Sequence, residues 1–265
     1  MQDFLKQFKE VQSRLAELLN TKFVPGQKDQ ITEYIHNVQA HILQLNNSGK
    51  LKRRDYHLLR LKMFAKHLEE LKKSDENLFE DFKNKLKKEN YHNYFGTRFE
   101  IDMAASLVRK NVDFEHPDPP DFKIKERDIA IECGSGHFSG GDRTIREKIE
   151  QTVDNKSDKP YYNSNNALFI DLTNIFYHSA SRESEASGEN IKKWIRSHLE
   201  TFNLDIGSVI LFTYVADASK NNSGLYHNYL RVDNENAKDE LIEFLDQYWP
   251  LDDIEMSRTF YPNEP

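Results

Sequence analysis

The sequence predicts an α/β protein in which an all-helical N-terminal region precedes a sheet flanked by helices. Three observations carry this expectation. Over the first ninety residues, apolar side chains recur at helical spacing. From Asn93 onward glycine, proline and β-branched residues appear, and strand-like and helix-like segments alternate. Within that second part, residues 167–172 and 208–215 are apolar enough to be central strands, buried on both faces.

Taken in order, Phe4, Phe8, Val11, Leu15 and Leu18 mark a first helix, ended by Pro25-Gly26. Ile31, Ile35, Val38, Ile42 and Leu45 mark a second, closed by Asn46-Asn47-Ser48-Gly49. A third is expected from Arg53 to Lys73 and a fourth from Asn77 to Lys88, giving a small antiparallel bundle or arm. Beyond Asn93 the expected elements are helix 98–110, strands 111–115, 121–125 and 128–134, helix 142–156, strand 167–172, helix 189–203 and strand 207–215. Helix 189–203 rests on a single apolar stripe of Ile191, Trp194, Ile195, Leu199 and Phe202. Tyr226, His227, Tyr229 and Arg231 read either as a sheet-edge strand or as the lining of a substrate groove. An acidic helix carrying Leu241, Phe244, Leu245 and Tyr248 closes the chain, and the Ser- and Glu-rich stretch from Ser179 to Gly188 reads as a surface loop. The expected domains are residues 1–92, 93–232 and 233–265.

Composition narrows the class. The chain has 265 residues, 31% of them charged, and no run of eighteen apolar residues, so no membrane span is expected. Its mean hydropathy is −0.80. The first residues, Met1-Gln2-Asp3-Phe4, lack the basic and apolar stretches of a secretory signal. A lone cysteine, Cys133, excludes an internal disulfide. Both features point to the cytoplasm. The net charge of −7 hides an asymmetry: residues 1–90 hold 18 Lys and Arg against 13 Asp and Glu, and the remainder 19 against 31. A basic helical part beside an acidic part suits a division in which one side meets phosphates and the other holds cations. Lysine-rich solvated helix faces explain the same numbers.

The chemistry concentrates in three carboxylates. If Glu126-Arg127 forms a two-residue turn, Lys125 faces Asp128, and counting back sets Asp121 opposite Glu132. Side chains so paired lie on one face with Cβ atoms about 4.5–5.5 Å apart. Two carboxylates that close repel unless a proton or cation sits between them. A divalent metal is one solution, and magnesium takes hard oxygen ligands and water. Glu100 falls on a stripe with Met103, Ala104, Leu107 and Val108, which turns it toward the sheet. Thr97 followed by Glu100 also reads as a helix capping box.

Glu100, Pro120-Asp121 and Glu132 within Ile131-Glu132-Cys133-Gly134 resemble the PD-(D/E)xK, or restriction endonuclease-like, nuclease superfamily. The resemblance covers roughly residues 93–215. It implies a core of helix, three strands, helix and strand, and Mg2+-dependent (or Mn2+-dependent) hydrolysis of phosphodiester bonds. It implies Asp121 and Glu132 as metal ligands and catalytic residues, Glu100 as an auxiliary ligand, and the main-chain carbonyl of Cys133 as a further one. The family places a lysine two residues after the second acid, where this chain has Gly134. Some members supply it from the following helix, which makes Lys148 the first candidate and Lys123 the second, with Arg146 and Gln151 nearby. The Gly134-Ser135-Gly136 run reads as room for backbone to approach a phosphate or as a plain turn.

Other residues complete the expectation. Lys52, Arg53, Arg54, Lys123 and Arg146 are candidate phosphate contacts, and a second basic cluster spans Lys83, Lys85, Lys87 and Lys88. His137 is placed to act as a general base, or is a surface histidine; Tyr161-Tyr162 stack on bases or pack. No P-loop, zinc-type cysteine spacing or nucleophile elbow occurs. The expected substrate is nucleic acid, DNA ahead of RNA, in restriction or defence against phage DNA, with a homodimer or partner subunit to cut two strands. The alternative is a catalytically inactive nuclease-fold module that binds nucleic acid or a partner protein.

Overall fold

A computed structural model describes residues 2–47, 51–136, 144–157, 159, 163–178, 187–217 and 224–251. His137, Tyr161, Tyr162 and residues 179–186 lie outside the described residues, as do the side chains of Lys52, Arg53 and Tyr226. The protein is α/β with a mixed six-stranded sheet. The chain divides into two compact units. One holds residues up to Asn111 with 216–217 and 224–225, and the other holds 112–215 and 226–251. The division therefore falls after Asn111, where the sequence suggested 92. The helix that precedes the first strand groups with the helical unit. The acidic C-terminal helix groups with the sheet.

The helical unit contains α1 (Gln2–Leu18), α2 (Gln30–Asn47), α3 (Leu51–Ser74), α4 (Glu76–Leu86) and α5 (Tyr94–Arg109). Of the stripes read from sequence, Phe4, Phe8, Val11, Leu15, Ile31, Ile35, Val38, Ile42 and Leu45 are buried and Leu18 is half-buried; Phe64 and Leu68 of α3 and Phe79 and Phe82 of α4 are buried with them. Asp75 starts α4 by accepting the Leu78 N–H at 3.0 Å. α5 begins at Tyr94, four residues earlier than expected, so Thr97 is inside the helix and no capping box joins it to Glu100. Thr97 is buried and its hydroxyl donates to Gln30 Oε1 on α2.

Deep in this unit sits an ionic cluster. Arg60 on α3 donates to Asp102 Oδ2 on α5 at 2.6 Å, and His67 Nδ1 lies 2.7 Å from Asp102 Oδ1. Arg60 and Asp102 are 0% and 1% exposed. Burial works against the ionised Asp102 carboxyl, but Arg60 and the hydrogen bond from His67 outweigh it and hold it well below the usual carboxylate range. One turn back on α5, the Arg98 guanidinium sits over the rings of Phe95, Tyr94 and Tyr34 at 5.2, 5.7 and 5.9 Å.

The sheet unit runs β1 (Phe114–Glu115), β2 (Phe122–Ile124), β3 (Ile129–Ser135), α6 (Ile145–Ser157), β4 (Asn166–Asp171), α7 (Thr173–His178), α8 (Gly188–Phe202), β5 (Ser208–Asp217), β6 (Gly224–Asp233) and α9 (Asp239–Tyr248). The strands lie in chain order across the sheet. β1, β2 and β3 are antiparallel; β3, β4 and β5 are parallel. Each parallel step needs a crossover, and α6 and α8 provide them. Both pack on one face, where Ile145, Ile149, Val153, Ile191, Ile195 and Leu199 meet Leu168, Ile170, Val209 and Leu211. Burying one such side chain stabilises the fold by roughly 1.5–3 kcal/mol. On the other face Phe169 meets Trp249 edge-on at 5.0 Å. α7 is short and was not expected from the sequence. Asp171 starts it by accepting the Thr173 N–H at 2.8 Å.

Replacing Asp102 with Asn strips the counter-charge from buried Arg60. The expected loss is about 3–5 kcal/mol at neutral pH, read from urea denaturation. Because the folded carboxyl is held low, this stabilisation is present above the unfolded value of about 3.9 and is lost as pH falls through the folded one. The gap between wild type and Asp102→Asn should therefore be constant from pH 7 to about 5 and close only below about 4.

A second pair of variants separates packing from chain entropy. A Cβ on Gly207 would collide with the Ser164 carbonyl oxygen and the Leu241 side chain, whereas one on Gly96 in α5 meets nothing within 4 Å. Gly207→Ala should cost about 1–3 kcal/mol. Gly96→Ala should gain about 0.5–1 kcal/mol. Chemical denaturation of the two variants checks both signs.

Candidate metal centre

The β2–β3 hairpin builds the site. Its register pairs Phe122 with Ile131, Lys123 with Ala130 and Ile124 with Ile129. Carried one residue outward, that register sets Asp121 opposite Glu132, the facing pair expected from the hairpin count. Both side chains are buried, at 5% and 6% exposure. Buried carboxylates require partners. Asp121 Oδ2 accepts the Cys133 main-chain N–H at 2.7 Å. In a strand, one residue's N–H and C=O point to the same side. The Cys133 carbonyl therefore points toward the Asp121 edge, beyond the first residue of β2.

Glu132 is met by a cation from α6. Lys156 Nζ lies 3.3 Å from Glu132 Oε1. Burial pushes the ammonium's pKa down, but Glu132 and Asp121 outweigh this and raise it above its ordinary value. Lys156 is therefore a cation throughout the neutral range and does not accept a proton in this arrangement.

Helix direction explains which lysine arrives. A helix joining two parallel strands must run back against them. A Cβ added to Gly136 would lie 3.3 Å from Thr152 Oγ1, and one added to Gly134 would lie 3.1 Å from Lys156 Cγ. So α6 descends as β3 rises, and its C-terminal turns lie over the middle of the strand. Lys148, Thr152 and Lys156 share one helix face at four-residue steps, each about 6 Å along the axis. Lys148 is buried on α6, about 12 Å along the helix from Lys156. The lysine of α6 seen to contact Glu132 is thus Lys156.

The remaining expected residues are placed as follows. Glu100, on α5, belongs to the helical unit and pairs with Lys85 of α4 at 2.9 Å. Lys123 is exposed on the same sheet face as Asp121 and Glu132. Arg146 is exposed at the start of α6 and pairs with Glu150 at 2.7 Å. Arg54 pairs with Asp55 and covers the Phe4 ring at 4.3 Å. Lys52 and Arg53 lie in the first turn of α3.

Among the described residues, no group of three or more His, Cys, Asp or Glu side chains could hold a metal ion. The oxygen donors on this edge are two facing carboxylates and, by strand geometry, the Cys133 carbonyl. That is a fit for Mg2+, which is held by one or two carboxylates and keeps several waters. Compared with known proteins, the chain matches no family model and no curated sequence. Among the described residues no helix is long and apolar enough to cross a membrane.

Proposed function

We propose that the sheet unit is a metal-dependent nuclease acting on DNA. The observation that carries this reading is the Lys156 ammonium at 3.3 Å from Glu132, on the face where Asp121 and Glu132 stand opposite each other. Two acids and a lysine in that relation are what phosphodiester hydrolysis needs. Asp121 and Glu132, with the Cys133 carbonyl, would hold Mg2+, which when bound would supply an acidified water and neutralise charge on the phosphate. Lys156, fixed as a cation, orients the water and offsets the negative charge that builds on the phosphate oxygens. Exposed Lys123, on the same face, meets the backbone of the substrate on approach.

A second reading keeps the fold without the reaction. The pairing of Glu100 with Lys85 favours it, because the third acid of the motif already has a counter-charge. The protein would then be an inactive module that binds nucleic acid or a partner protein.

One assay separates the two. Plasmid, linear and single-stranded DNA, and RNA, are incubated with the protein in Mg2+, Mn2+ or EDTA. Metal-dependent cutting is expected, with a loss of about a hundredfold or more in Asp121→Ala, Glu132→Ala and Lys156→Ala. Lys148→Ala should cost far less than Lys156→Ala. Cutting that survives both acid substitutions rules the site out. Absence of cutting in every condition, with DNA binding retained, establishes the inactive module.

A further inference from the structure

Gly134 does more than lack a lysine. Its ideal Cβ would lie 3.1, 3.3 and 3.6 Å from Cγ, Cε and Cδ of Lys156. The aliphatic stem of Lys156 therefore runs across the bare backbone of Gly134 to reach Glu132. A Cβ at 134 would make that stem give by a few tenths of an ångström, and a larger side chain would take more of its room. The ammonium so delivered sits against a carboxylate that is 7% exposed, while Lys156 itself stays 33% exposed. The charge is buried at the acid and open at the lysine.

We propose that Lys156, admitted by Gly134, is a resident counter-ion that a divalent cation must work against to bind Asp121 and Glu132. This rests on the metal-centre reading above and adds to it a sign: the lysine lowers cation affinity. Without metal, the ammonium supplies Glu132 with a counter-charge. When a divalent ion enters, two cations share the same carboxylates. Their mutual repulsion would weaken divalent-ion binding by at least tenfold. The lysine and the ion are alternatives in apo stability and partners in turnover. The site thus keeps its carboxylates assembled when metal is scarce, in exchange for weaker metal binding.

Mn2+ binding to the full chain, followed by calorimetry and by melting temperature, tests this without any substrate. Lys156→Met should bind Mn2+ at least tenfold more tightly than wild type, melt lower in EDTA, and show the larger upward shift when Mn2+ is added. Gly134→Ala keeps the charge but displaces the stem, and its affinity should fall between the two. If Lys156→Met fails to fold, Gly134→Ala decides alone: tighter binding supports the proposal, and unchanged or weaker binding overturns it. Mn2+ binding in wild type that is equal or weaker in Lys156→Met overturns the counter-ion role and leaves the metal centre standing. No Mn2+ binding in any of the three proteins removes both.

Discussion

Two carboxylates buried face to face on one sheet are the constraint from which the rest of the sheet unit follows. Left alone, Asp121 and Glu132 would repel and one would take up a proton. The fold answers by bringing groups to them from three directions. β3 offers the Cys133 N–H to Asp121. α6 offers Lys156 to Glu132. Gly134 leaves the gap that lets the second contact form. Each answer depends on a larger feature: the N–H on the β2–β3 register, and the lysine on a crossover that runs antiparallel to β3. The hydrophobic cluster of Ile145, Ile149 and Val153 against Leu168 and Ile170 is what holds α6 in that course.

The helical unit meets the same physics differently. Asp102 is as deeply buried as Glu132, but Arg60 and His67 close around it from α3 and leave it 1% exposed. A guanidinium held in two-atom contact with its surroundings is a fixed, structural counter-charge. An ammonium on a flexible stem with a third of its surface in solvent is adjustable. The contrast separates an acid closed into the framework from one whose counter-ion is partly open to solvent.

Most of the architecture was legible because periodicity reports burial. The helical stripes of α1 and α2 and the apolar runs of β4 and β5 stand close to where the sequence put them. The facing acids were legible too, because a hairpin register needs only a turn and a count. Three features were not. α5 starts at Tyr94, before the polar capping signal at Thr97, because Tyr94 is buried and extends the helix upstream. α7 is too short to show a period. The contact of Lys156 with Glu132 is the third, because helix direction decides which turn of α6 lies over the acids. The signal was present: a helix between two parallel strands must reverse, so its last turns, not its first, lie over the acid-bearing part of the first strand.

A lysine carried by a helix also differs in kind from one carried by the strand. On β3, two residues after Glu132, its position relative to the acids would be set by the pleat of a single strand. From α6 it is set by packing between two elements, through residues distant from the acids in sequence. Small changes in the α6 interface then translate into changes in the distance between ammonium and carboxylate. The stem of Lys156 has the rotatable bonds to absorb some of this, and the bare backbone of Gly134 lets it do so without a clash. The glycine is therefore the element that makes a helix-borne lysine workable: it converts a rigid requirement on strand geometry into a tolerant one on helix packing. In the proposed role that tolerance comes with weaker metal binding, because an ammonium that stays at the acids repels any cation that would bind them.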